Sequence, residues 1–229
     1  MRDFLKPVLI TARDLSEAWF LCIKELFEHG YEYRIDKSSA GQIRRLEFDF
    51  ITVNIKFPGT RPLVPDVPPG MGFPPPATEK YVEEDYLPYL MTSEKKPNED
   101  YTYGQDLEEQ IERVIKYYKQ HGQNLNHCYM AVGDKDTLKL YEKPSGTSQC
   151  LRGIDTRIRY GKLHLFPYFR SWDLWGGFPV NLAAIQIMKE YMAAEIGIED
   201  GEIVATSKGL HLYDYTWDLA KTRIGMKID

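Results

Sequence analysis

From Asp14 to His29, apolar side chains recur every third or fourth residue: Leu15, Ala18, Trp19, Cys22, Ile23, Leu26 and Phe27, with Gly30 following. That spacing predicts an amphipathic helix ended by glycine. Cys22 belongs to the apolar stripe and reads as core. From Leu46 to Ile55 the period is two, but the phase flips: Leu46, Phe48 and Phe50 alternate with acids, then Ile51, Val53 and Ile55 take the apolar positions. The flip predicts one strand with a bulge or with both faces buried. Prolines at 58, 62, 65, 68, 69, 74, 75 and 76 rule out regular structure over Pro58 to Pro76 and predict an ordered, extended surface loop. A second helix is predicted over Asp106 to Gln120, on Leu107, Ile111, Val114, Ile115 and Tyr118, before His121-Gly122. Short strands are predicted over Tyr129 to Val132 and Thr137 to Tyr141, and a longer one over Gly161 to Phe169. A strongly apolar third helix follows over Leu182 to Glu195, then strands over Ile203 to Ala205 and Leu210 to Tyr215. Strands and helices mix without a strict βαβ rhythm, which favours an α+β fold in one domain, residues 1–229.

Composition narrows the class. The chain has 229 residues, 43% hydrophobic and 28% charged, the proportions of a globular protein with one sizeable core. Its 29 basic and 34 acidic residues leave a net charge of −5, and no basic tail is present, which argues against general nucleic-acid binding. No apolar run is long enough to span a membrane, and Met1-Arg2-Asp3-Phe4 leads into no signal-peptide core, so a cytoplasmic location is expected. The cysteines, Cys22, Cys128 and Cys150, are sparse and lack CxxC spacing, so neither a disulfide framework nor a metal site is expected. Cys128 lies in a short apolar strand pattern and reads as inert.

The stretch from Cys150 to Asn181 differs from the rest. Arg152, Arg157, Arg159 and Arg170 form a local basic cluster in an acidic chain. Arg170-Ser171 suits a phosphate, because a guanidinium fork matches phosphate oxygens and a hydroxyl adds a donor. Gly176-Gly177 permits close approach of backbone to a ligand, and Asn181 at a helix entrance can cap the helix or offer its amide. Without further context, an exposed arginine, a turn and a capped helix explain these residues equally well.

Order and spacing add to that. The run RSWDLWGGFPVN, residues 170–181, resembles the RSxDxxxGxPxN signature of thymidylate synthases and the related pyrimidine hydroxymethylases. Cys150 stands twenty residues before Arg170, the family's spacing from nucleophile to arginine. GKL at 161–163 and GLHLY at 209–213 fall in the same register, and Tyr103-Gly104 resembles the family's YG element before a helix. The resemblance covers roughly residues 101–218 and, with the proline-rich insert and the compact length, is nearest the archaeal branch.

The resemblance implies a thymidylate synthase-like α+β fold, a mixed sheet covered by helices, with a sheet face used to form a homodimer. It implies a methyltransferase that converts dUMP to dTMP with 5,10-methylenetetrahydrofolate, or a modified pterin, as cosubstrate and without a metal. Cys150 would add to C6 of the pyrimidine, its thiolate favoured by Arg170. Arg170 and Ser171 would bind the phosphate, Asp173 would position the ring near its C2 carbonyl, and Gly177 would let the ring pack on main chain. Asn181 would pair with N3 and O4 of uracil; His211 and Tyr213 would hold the 3′-hydroxyl; Tyr103 would assist removal of the C5 proton. His29, His121, His127 and His164 match no family histidine and read as structural or solvated. A deoxynucleotide hydroxymethylase acting on dUMP or dCMP, and a non-catalytic nucleotide-binding relative, share much of the pattern; Asn181 in place of aspartate favours uracil. The chain departs from the family at Gln149-Cys150-Leu151, where Pro-Cys-His is usual, and at Phe169, where glutamine is usual. The arginines a partner subunit lends to the phosphate would fall near Asn126-His127, with Arg152 or Arg157 as substitutes. Glu47 stands for the family glutamate and Arg34 for the N-terminal phosphate-loop arginine. Met226-Lys227-Ile228-Asp229 ends the sequence without the family's long tail that closes over folate, a departure that bears on folate binding more than on nucleotide binding and speaks for the non-catalytic relative.

Overall fold

The protein was analysed as a computed structural model that describes residues 4–35, 43–68, 70–97, 99–142 and 148–228. Of the residues read above, Met1 to Asp3, Pro69 and Asp229 lie outside that set.

Strand β1 (Pro7–Ala12) leads into helix α1 (Leu15–His29), whose first turn is capped by the Asp14 carboxylate, accepting from the Glu17 amide at 2.9 Å. The predicted stripe is the buried face: Leu15, Ala18, Trp19, Cys22, Ile23 and Leu26 are all in the core. Strands β2 (Tyr31–Ile35), β3 (Ile43–Glu47) and β4 (Phe50–Ile55) follow. The phase flip at residues 48–50 is therefore neither a bulge nor a doubly buried strand. It is a break at Phe48-Asp49 where the chain leaves one sheet for another, with buried Phe48 as the pivot. The described residues of the proline-rich stretch form no helix or strand, as expected, yet Pro58, Leu63, Val64 and Pro65 are buried within it.

A helical segment that the sequence reading missed spans α2 (Glu79–Tyr81), a wide π-turn (Val82–Tyr86) and α3 (Leu87–Met91). Helix α4 (Gly104–His121) buries the predicted face. Strand β5 (Met130–Ala131) is shorter than expected. Residues Thr137–Glu142 form a 3-10 turn rather than a strand, because Thr137 Oγ1 and Asp134 Oδ1 take the amides of Asp134 and Asp136 and wind the chain. Then come β6 (Leu151–Arg159), β7 (Lys162–Phe169), β8 (Trp172–Asp173), α5 (Gly177–Ile196), β9 (Glu199–Ser207), β10 (Leu210–Tyr213), a 3-10 turn (Asp214–Thr216) and α6 (Trp217–Arg223). Helix α5 begins five residues earlier than predicted: the Asp173 carboxylate takes the amides of Gly176 and Gly177, both at 3.1 Å, so Asp173 and not Asn181 caps it.

The order β1-β4-β9-β7-β6-β5 forms a six-stranded mixed sheet, and β2-β3-β10-β8 a second, four-stranded sheet. Helices α1 and α5 pack on one face of the large sheet, against β1, β4, β7 and β9. The alternate side chains point away from them. That outer face carries Leu9, 72% exposed, with Phe166, Arg157 and Arg159 also exposed. The architecture is α+β, as expected. No helix among the described residues is long and apolar enough to cross a membrane.

Candidate active site

Residues distant in sequence converge where β6, β7, β8 and β10 meet the start of α5. The Arg170 amide donates to the Cys150 carbonyl (2.9 Å), the Trp172 amide to Gly209 (2.9 Å) and the Leu174 amide to His211 (2.8 Å). Strand β8 runs parallel to β10 with Asp173 opposite His211. The backbone thus ties the Cys150, Arg170 and GLHLY segments into one unit before any side chain is considered.

Arg170 donates through Nε to the Gln149 carbonyl (3.1 Å) and through Nη2 to the Ser148 carbonyl (2.7 Å), and its Nη2 lies 4.0 Å from Cys150 Sγ. Tyr141 stands over the guanidinium at 5.7 Å and shares a 2.6 Å hydrogen bond with the Ser148 hydroxyl. Cys150 is half-buried, whereas Cys22 and Cys128 are buried, as read from the sequence. Arg170 was expected to ionise Cys150. Instead the thiol sits above its ordinary value: burial raises it, and Arg170 and then Arg45 oppose that only in part. Native-state treatment with iodoacetamide should therefore modify Cys150 alone, at a rate still climbing through pH 9, and Arg170→Met should slow it. Intact mass against pH checks this; a plateau below pH 9 or a second adduct on Cys128 contradicts it.

Tyr103 is buried, with its hydroxyl accepting from the Leu151 amide at 3.4 Å, next to the cysteine. It stands in a cluster with Tyr89 (5.2 Å between rings) and Tyr101 (5.7 Å), and Tyr86 contacts Tyr89 at 5.5 Å. Burial holds the Tyr103 and Tyr86 hydroxyls well above the usual tyrosine range. The Asn181 amide is held on both sides. Its Oδ1 accepts from the Trp172 indole at 2.7 Å, and its Nδ2 donates to the Tyr86 hydroxyl. Gly177 lies over this corner; a Cβ there would come within 3.3 Å of Asp173 Cβ and 3.7 Å of Asn181 Oδ1. Ser171 is half-buried beside Arg170.

His211 is buried, its Nδ1 2.8 Å from the Gly209 carbonyl. A carbonyl only accepts, so Nδ1 carries the proton and Nε2 is a bare acceptor, buried with no hydrogen-bond partner among the described residues. Burial, then the charge of Arg45, lowers its pKa to about 4, so the ring is neutral. Arg45 Nη2 donates to the Tyr213 hydroxyl at 2.8 Å, which leaves the tyrosine proton free to donate elsewhere. Glu47 accepts from Tyr33 (3.1 Å) and lies 3.7 Å from His211 Nδ1, so this sequence candidate does line the site.

The arginine cluster disperses, because on β6 alternate residues face away from the helices. Arg157 and Arg159 are exposed there, Arg152 reaches Thr137 Oγ1 at 3.5 Å, and only Arg170 stands by the cysteine. Arg34 is exposed on β2 opposite Arg44. Asn126 and His127 are exposed, with His127 bonded to the Tyr117 hydroxyl at 2.7 Å. His164 takes the Glu202 amide (3.0 Å), a structural role. Arg45, Tyr86, Tyr141 and Trp172 were not foreseen; of these only Trp172 stood inside a motif, as one of its variable positions. A cavity of about 780 Å3 lies elsewhere, between β7, β9 and the end of α5, and its Lys56–Glu202 and Lys162–Glu199 charges are paired. A smaller one of about 270 Å3 opens beside Tyr86 and Tyr89.

A thiol beside a fixed arginine, an oriented amide and an unpaired imidazole acceptor make a site for nucleophilic chemistry on a small polar ligand. The thymidylate synthase family profile matches residues 93–228. Relatives provisionally named thymidylate synthases in Methanosarcina acetivorans and Methanosarcina mazei are each 30% identical over 219 residues, covering 93% of both chains. One of the same provisional name from Methanothermobacter marburgensis is 24% identical over 228 residues, covering 93% of this chain and 96% of its own. The chain belongs to the thymidylate synthase family, on its archaeal branch.

Proposed function

We propose that this chain, acting as one domain in a homodimer in the cytoplasm, is a thymidylate synthase that converts dUMP to dTMP, with 5,10-methylenetetrahydrofolate or a modified pterin as cosubstrate. The observation that carries the reading is Cys150 held half-buried against Arg170, with the base-reading and sugar-reading groups fixed around it. Arg170 spends Nε and Nη2 on the Gln149 and Ser148 carbonyls, which leaves its Nη1 to donate to the dUMP phosphate in this reading, with the Ser171 hydroxyl as a second donor. Asp173 contributes through the turn it fixes, which sets Gly177 and the main chain against the ring. His211 Nε2 accepts the proton of the 3′-hydroxyl, and Tyr213, relieved by Arg45, donates to its oxygen.

Cys150 as thiolate adds to C6, and the electron pair displaced toward C5 and O4 makes C5 a nucleophile. The Nδ2 of Asn181 donates to O4 as charge gathers there. The cosubstrate would supply the one-carbon unit to C5 and, once loss of the C5 proton has broken that carbon's bond to the folate nitrogen, a hydride to the same carbon, leaving as dihydrofolate. Tyr103, whose hydroxyl keeps its proton, orders water for removal of the C5 proton, and as the hydride arrives the C6–S bond breaks and the thiolate is restored. A pterin ring would stack on Trp175, which packs against Trp19 (5.1 Å) and Phe73 (5.8 Å) on the Asp173–Gly177 turn. The outer sheet face, with exposed Leu9 and Phe166, suits burial against a second copy, and Arg157 on it could then reach a partner's phosphate.

Incubation with 5-fluoro-dUMP and methylenetetrahydrofolate tests this, because fluorine at C5 blocks proton loss. Intact mass should show a stable adduct carrying both molecules in the wild type and none in Cys150→Ala. Nucleotide binding without an adduct in the wild type overturns the enzymatic reading. Product analysis with dUMP separates a methyl from a hydroxymethyl product.

A further inference from the structure

We propose that Trp172 sets the pyrimidine specificity of the site by locking the amide of Asn181 in one orientation, that which fits a 4-oxopyrimidine and rejects a 4-aminopyrimidine. The proposal rests on the nucleotide reading above and names a residue that reading does not use.

An asparagine amide is nearly symmetric in shape, and a half-turn about its last bond exchanges acceptor for donor. In one orientation it accepts from N3–H and donates to O4 of uracil. In the other it donates to N3 and accepts from the 4-amino group of cytosine. Asparagine at this position is therefore selective only if something stops the flip.

The two partners of Asn181 differ in that respect. Tyr86 meets Nδ2 with a hydroxyl, which donates or accepts and so follows either orientation. Trp172 meets Oδ1 with an indole N–H, which only donates. A flip would set the Asn181 NH2 against that N–H, leaving donors unpaired where water does not reach: Trp172 is 2% exposed and Asn181 9%. The indole itself cannot turn aside. It is stacked between Phe169 (4.1 Å, 8° between planes) and Phe178 (4.6 Å, 29°), and its amide is bonded to the Gly209 carbonyl at 2.9 Å. Oδ1 keeps a lone pair and Nδ2 a hydrogen for the base, in the order uracil requires. Trp172 touches no substrate in this scheme; it is a positioning residue.

Trp172→Phe keeps the aromatic stack and removes only the donor. Dissociation constants for dUMP and dCMP, measured by calorimetry on the full chain, should differ by about a hundredfold or more in the wild type, and the ratio should fall at least tenfold in the variant, with dCMP gaining affinity. General damage to packing would weaken both nucleotides together and leave the ratio unmoved. If Trp172→Phe does not fold, benzothienylalanine at 172, which has the indole's shape with sulfur for N–H, makes the same comparison. A ratio unchanged within twofold in a variant that still binds dUMP overturns the proposal and leaves the enzymatic reading standing. A wild type that binds neither nucleotide overturns both.

Discussion

Cys150→Ser should abolish dTMP formation, lowering turnover by about 10^4-fold or more, while dUMP binds within roughly threefold of wild type. The expectation divides the site into groups that hold the nucleotide and one that reacts. In the proposed reading phosphate, sugar and base would each be met by residues other than the cysteine, and Arg170 is fixed by the Ser148 and Gln149 carbonyls, which are backbone and survive the substitution. A serine hydroxyl is nearly isosteric but far too weakly acidic to supply an alkoxide at neutral pH, whereas a thiol is close enough for nearby cations to matter. Those cations lower the barrier without removing it, since burial still holds Cys150 above its ordinary value. Steady-state assays of dTMP release with calorimetry for dUMP check both halves. Retained turnover above a few per cent would assign the chemistry to another group. Joint loss of binding and turnover would make Cys150 a packing residue.

Helices α1 and α4 were legible because their periodicity is a direct image of burial. Leu107, Ile111, Val114, Ile115 and Tyr118 are apolar since one face of α4 meets the core. The family resemblance placed Cys150, Arg170, Asn181, His211 and Tyr213 in one register, and the fold brings these segments together. Side-chain direction was less visible. The arginines of β6 look like neighbours of Arg170 in sequence, but a strand alternates its faces: Arg157 and Arg159 are exposed on the outer one, and Arg152 is turned to Thr137. The break at Phe48-Asp49 read as a bulge because a change of sheet and a change of register leave the same mark on hydrophobic phase. Arg45 and Tyr86 were invisible for another reason: each acts across a sheet or between helices, on residues 168 and 95 positions away, and no local pattern carries such a pairing. Polar groups such as these are common on any surface, and only their partners distinguish them.

Gly104→Ala should destabilise the protein by about 2–3 kcal/mol net, lowering Tm by roughly 4–12 °C. Two effects oppose each other. Alanine is the better helix former, and at the first position of α4 that gains at most about 1 kcal/mol. Against this, the new Cβ would fall on the oxygen, carbon and nitrogen of Thr92, far inside van der Waals contact. All three are main-chain atoms, so no rotamer relieves the overlap. Thr92 cannot retreat easily, because its amide donates to the Pro88 carbonyl (2.9 Å) and its own carbonyl accepts from the Thr102 hydroxyl (3.0 Å). Either α3 or α4 must move, and α4 carries Tyr103 with it, the residue whose hydroxyl touches the Leu151 amide beside the cysteine. Stability and turnover should therefore fall together. Gly153→Ala supplies the contrast. There the two closest atoms are the hydroxyl and ring of Tyr129, the far end of an exposed side chain that can swing away by giving up its hydrogen bond to the Arg152 carbonyl, and the one crowded main-chain atom is the Met130 carbonyl oxygen at 2.9 Å. Thermal unfolding of both variants decides whether the fixed backbone at Thr92 matters: a larger loss for Gly153→Ala than for Gly104→Ala would mean that the helix end yields more readily than the tyrosine.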